Sequence, residues 1–157
     1  AMSRPRLARP VARVLTASVL FAFAFGASAA DVRFFPVPGE DGRTLPFSDA
    51  VQVGDLIFLA GKLGNIPGTR DLAPGGIEGE TRQAMDNIRA TLLRLGASMD
   101  DVVKCTVFLA DIDEWAAMNA VYVTYFPNHR PARSALGVNG LALGARTEIE
   151  CIAARSD

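Results

Sequence analysis

The chain has 157 residues, half of them apolar, with a formal net charge of −1 and a single histidine. That length supports one hydrophobic core, not two. Its basic residues form no long cluster and no pattern interleaved with aromatics, which argues against a nucleic-acid surface, and no second histidine or cysteine stands at metal-ligand spacing from His129.

The first 30 residues differ from the rest. Ala1 ahead of Met2 reads as a cloning remnant. Arg4, Arg6, Arg9 and Arg13 form a positive start, Val14 to Phe25 is uncharged and mostly apolar, and Ala27-Ser28-Ala29-Ala30 is a small-residue cleavage site. This pattern predicts a secretory signal peptide over 1–30 and hence a periplasmic or secreted protein. The alternative is an uncleaved anchor, but a bilayer span takes ~20 apolar residues and this run is shorter, so no membrane association is expected after cleavage. Taking four arginines from 16 basic residues leaves 12 against 17 acidic ones, a mature charge of −5.

Residues 31–44 are polar and hold Pro36, Pro38, Gly39 and Gly42, as in a linker or edge segment before a domain over 45–157. Ser48 to Val53 and Leu56 to Lys62 flank Gly54-Asp55, a tight hairpin turn. The run Leu-Ile-Phe-Leu-Ala lacks alternation, which predicts a strand covered on both faces. Glycines and prolines from Gly61 to Gly76 mark a long loop, without phosphate-loop or dinucleotide spacing. Ile77, Ala84, Met85, Ile88, Leu92 and Leu95 predict a helix over 78–95, stopped by Gly96 at C′.

A β-branched strand follows over 102–109, with Val103, Cys105, Val107 and Leu109 on one face. Asp111 and Glu114 stand in capping-box positions for a second helix, whose buried stripe would be Trp115, Met118, Tyr122 and Tyr125, with Pro127 past its end. Two last strands are expected at Ser134 to Val138 and Arg146 to Ala154. The order β-β-α-β-α-β-β predicts an α+β layer, two helices on one face of a mixed sheet.

Cys105 and Cys151 each fall in an apolar strand pattern, where cysteine behaves as a small buried hydrophobe. They can bridge only if their Cα atoms come within roughly 7 Å. Two free thiols are the expectation, with one disulfide as the alternative. No histidine is spaced to activate a thiol, and no Gly-x-Ser-x-Gly elbow serves His129.

The chemistry concentrates in Arg130 to Ile149. Arg133 opens one strand and Glu148 lies early in the next, so a guanidinium and a carboxylate would face one pocket if those strands are neighbours. Glu148, Glu150 and Ile152 share a face by alternation. Pro131-Ala132-Arg133-Ser134, a spacer, then Thr147-Glu148-Ile149 resembles the signature of the RidA (YjgF/YER057c/UK114) family of enamine/imine deaminases. The resemblance extends upstream through Leu45-Pro46-Phe47-Ser48, Ala60-Gly61-Lys62, Thr81 to Ile88, Val102 to Leu109 and Asn119 to Phe126.

That resemblance implies a chorismate-mutase-like fold and a homotrimer with active sites in clefts between subunits, working without metal or cofactor. It also implies a small carboxylate-bearing imine or enamine substrate. Arg133 matches the arginine that clamps the substrate carboxylate, and Glu148 matches the glutamate that positions water. Asn119 matches a polar residue near the same cleft, with Ser134 beside it. Two positions depart from the pattern: Phe47 stands where the best-known deaminases have tyrosine, and Ala135 where many have cysteine. The expected function is hydrolysis of short 2-imino acids to 2-keto acids and ammonia. The alternative is a non-catalytic trimer that binds small carboxylates or a protein partner. RNA cleavage, attached to some relatives, suits the acidic mature charge least.

Overall fold

A computed structural model describes residues 30–38 and 44–155. The stretch up to residue 29, where a signal peptide is expected, and residues 39–43 and 156–157 lie outside these. One mixed sheet carries strands β1 (Val32–Pro38), β2 (Thr44–Val53), β3 (Leu56–Leu59), β5 (Val102–Leu109), β6 (Ala132–Gly137) and β7 (Thr147–Ala154), in the order β1-β2-β3-β7-β5-β6. The short β4 (Lys62–Leu63) also pairs with β7. Helices α1 (Gly76–Arg94) and α2 (Trp115–Tyr122) cover one face, as the α+β reading expects.

The helix α1 forms where the apolar period predicts it. Ile77, Ala84, Met85, Ile88 and Leu92 are buried against the sheet, and truncating Met85, Ile88 or Leu92 to alanine would cost about 2–5 kcal/mol each. Gly96 ends it at φ +75. Ala97 N–H donates to the Leu92 carbonyl at 2.9 Å and Gly96 N–H to that of Leu93 at 3.1 Å, a Schellman stop. Asn87 on α1 donates to the carbonyls of Leu63 and Asn65 and so holds β4 in place beside β7. The Gly54-Asp55 turn closes β2 on β3 with Gly54 at φ +57.

Five expectations are corrected. Residues 56–59 alternate between exposed and buried, with Leu56 41% and Phe58 40% exposed, so β3 is covered on one face only. A bulge between Val102 and Lys104 turns Val103 outward and buries Val102 in its place. At α2, Asp111 caps a 3-10 turn at Ile112–Glu114, accepting from Asp113 N–H, and Glu114 pairs with Arg146 instead of completing a capping box. Trp115 is 40% exposed, and Tyr125 is half-buried, its hydroxyl donating to Asp86 at 2.8 Å.

The fifth correction concerns the thiols. Cys105 and Cys151 are register partners on β5 and β7, with Cα atoms 4.1 Å apart, and they form a disulfide. Sequence spacing could not show that the two strands are direct neighbours, although 46 residues separate the cysteines.

Candidate active site

The sheet's parity decides where each candidate points. Cys105, Val107 and Leu109 are buried under the helices, so the helix-covered face of β5 carries the odd positions after the bulge. On β6, Arg133 is the register partner of Cys105 and Ala135 that of Val107. Both therefore lie on the helix-covered side. On β7, Glu148 is the register partner of Phe108. Positions 105 and 108 are an odd number apart, so Glu148 lies on the opposite, uncovered face. Arg133 and Glu148 are also separated by all of β5, roughly 10 Å across the sheet at the usual strand spacing. Their strands are not neighbours, and within one chain the pair does not share a pocket.

Around Arg133 the surroundings are aromatic. Its guanidinium carbon lies 5.3 Å from the centre of the Trp115 ring and 4.7 Å from that of Tyr122. Trp115, Asn119 and Tyr122 stand at i, i+4 and i+7 along α2, one helical stripe. Asn119 thus joins Arg133 on this side. Among the described residues Arg133 forms no ion pair. Burial pushes the Tyr122 phenol up to about 12, with the nearby Arg133 charge pulling the other way, so the ring stays neutral.

Around Glu148 the neighbours are different. Its carboxyl is held above the usual 4.5, first by burial and then by the charge of Glu150. Gly61 lies directly against it: a Cβ there would fall 2.0 Å from Glu148 Oε1. Only glycine leaves room for the carboxylate in this position. Leu63 on β4 is the register partner of Glu148. The rest of this face mixes apolar and polar groups, with Phe58, Leu56 and Val103 exposed and Lys104 donating to Ser134 at 2.8 Å.

Of the remaining candidates, Ser134 therefore sits on the uncovered face, away from the guanidinium of Arg133. Phe47 is 54% exposed on β2, with β3, β7 and β5 between it and β6. His129 is an exposed loop residue 4.0 Å from Asp100. No group of three or more histidine, cysteine or acidic residues among the described ones is arranged to hold a metal. Sequence reading missed Gly61, Trp115 and Tyr122 as parts of the site. Gly61 carried a signal, since it follows Ala60 in a matched motif; the two aromatics looked like ordinary core.

A mixed sheet backed by two helices, with an arginine and a glutamate at these positions, defines an α+β protein of the YjgF kind. Residues 42–155 match the Endoribonuclease L-PSP family. Mouse 2-iminobutanoate/2-iminopropanoate deaminase is 43% identical over 108 residues, 69% of this chain and 80% of that protein. A RutC family protein of Pyrococcus horikoshii is 42% identical over 108 residues, 69% of this chain and 86% of its own. The crystal structure of RidA from an Antarctic Psychrobacter superposes with a TM-score of 0.67 at 36% identity, over 71% of this chain and 89% of that one. This chain belongs to the RidA (YjgF/UK114) family, also called Endoribonuclease L-PSP.

Proposed function

We propose that the protein hydrolyses short 2-imino acids, the tautomers of 2-enamino acids, to 2-keto acids and ammonia. The reading rests on one observation above others: Arg133 is a half-buried guanidinium without a carboxylate partner among the described residues, flanked by aromatic faces that carry no compensating charge. Such a group takes a substrate carboxylate through two parallel N–H donors. Glu148 accepts a proton from water as the oxygen attacks the C=N carbon. The nitrogen takes that proton to give a carbinolamine, whose hydroxyl proton then passes to the nitrogen as the C=O forms and the C–N bond breaks, releasing ammonia and the keto acid. The imine is already electrophilic, so orientation and one proton relay suffice.

Because Arg133 and Glu148 lie on opposite faces of one sheet, we assign the working cleft to two chains, one giving the guanidinium and the other the carboxylate. A closed trimer meets that need with three equal clefts. The uncovered apolar face around Phe58 supports burial between subunits. The disulfide suits an oxidising compartment, and with it we keep the periplasmic or secreted assignment.

The test is ammonia release from freshly generated 2-iminopropionate. The wild-type protein should accelerate it, and Arg133→Ala should lose on the order of 10²–10³-fold in kcat/KM. An unchanged rate in Arg133→Ala rejects the assignment. Phe47, which lacks a phenolic hydroxyl, favours a second reading, a trimer that binds small carboxylates without turnover. Pyruvate binding lost in Arg133→Ala, with no hydrolysis by the wild type, would select it.

A further inference from the structure

Arginines near a protein surface usually meet a carboxylate, and that partner both orients and neutralises them. Arg133 is oriented without being neutralised by any described residue. Trp115 and Tyr122 stand seven residues apart on α2, a rise of ~10.5 Å, and the guanidinium carbon lies about midway, within 5.3 Å and 4.7 Å of the two ring centres. An aromatic face attracts the cation through its quadrupole but carries no net charge. It restricts the side chain's rotamers, whose freedom would otherwise be lost on binding, and it leaves the full positive charge for an incoming anion. Tyr122 is nearly fully buried and fixed in the core, whereas Trp115 is 40% exposed, so the two rings divide the work between anchoring and contact with the site.

We propose that Trp115 and Tyr122 are positioning residues that hold the Arg133 guanidinium ready for a substrate carboxylate, and that Trp115 reports when that carboxylate is bound. This rests on the carboxylate-clamp role given to Arg133 above. The chain contains one tryptophan, so its emission comes from this position alone.

The experiment uses the disulfide-bonded protein and pyruvate as the probe, with methyl pyruvate as the carboxylate-free control. Trp115 emission should change saturably with pyruvate, should not respond to methyl pyruvate, and should lose its response in Arg133→Ala. In turnover of 2-iminopropionate, Trp115→Leu should raise KM roughly fivefold with kcat little changed, and Trp115→Phe should restore KM. A Trp115→Leu protein with unchanged KM and unchanged pyruvate affinity, while Arg133→Ala has lost both, overturns the positioning role and leaves the clamp standing. Wild-type emission that responds to pyruvate equally in Arg133→Ala overturns the clamp, and the positioning role with it. A KM that Phe does not rescue also overturns it, since a ring face is what the geometry uses.

Discussion

The two faces of the sheet are built to different ends. The helix-covered face is finished within one chain: α1 and α2 bury Ile57, Val107, Ile149 and the Cys105–Cys151 bridge, and Arg133 is fixed at its margin by two rings. The uncovered face keeps Leu56, Phe58 and Val103 in solvent beside a half-buried Glu148 whose carboxyl is already held back from ionising. One chain thus has a complete cation site and a complete carboxylate site, placed so that they cannot meet. Under the proposed function, the chemistry waits on the association of two chains.

The sharpest way to break this contrast is to mix two inactive proteins. Arg133→Ala and Glu148→Gln should each fall on the order of 10²–10³-fold in turnover. Co-refolded one to one, they should recover about a quarter of wild-type activity, because a closed ring of mixed chains leaves that share of clefts with both native residues. No recovery would return the site to a single chain.

Gly61→Ala comes next. The added methyl displaces the Glu148 carboxylate, so kcat should fall roughly 10–100-fold while pyruvate still perturbs Trp115 emission normally. Equal loss of both signals would show that the two sites are not separable.

The covered face is probed by removing the bridge. Cys105→Ala with Cys151→Ala should cost about 3 kcal/mol, roughly 10 °C in Tm for a domain of this size, read by calorimetry.

The smallest effect is in pH. If Glu148 is the proton acceptor proposed, it must be ionised to act, so kcat should rise with pH along a limb centred above 4.5. Glu150→Gln removes one of the two causes and should move that limb downward. The folded state holds this proton more tightly than the unfolded chain, so the same ionisation lowers stability as pH rises through the limb. Glu148→Gln should abolish both dependences.

Much of this was legible in the residues. The α1 stripe and its glycine stop were written in a 3.6 period, and the shared face of Glu148, Glu150 and Ile152 in simple alternation. The site was less so. Strands at 132–137 and 147–154 follow each other in sequence, yet β5 enters between them, because pairing is settled by the whole sheet and not by chain order. The Val103 bulge depends on the β7 partner, which no local pattern encodes. Trp115 matched a buried stripe because spacing gives a helix's faces without saying which margin stays open.

The β5-α2-β6 unit has a consequence for the order in which the molecule is made. Every residue that brackets the guanidinium, from Cys105 through Trp115 and Tyr122 to Arg133, lies in one unbroken stretch, whereas the carboxylate's surroundings join Gly61 and Leu63 to Glu148 across more than half the domain. Contacts close in sequence form early, and distant pairings await the closing of a long loop. A nascent chain halted just before Thr147 already owns every part of the aromatic cradle, and it lacks the strand that Gly61 was shaped to receive.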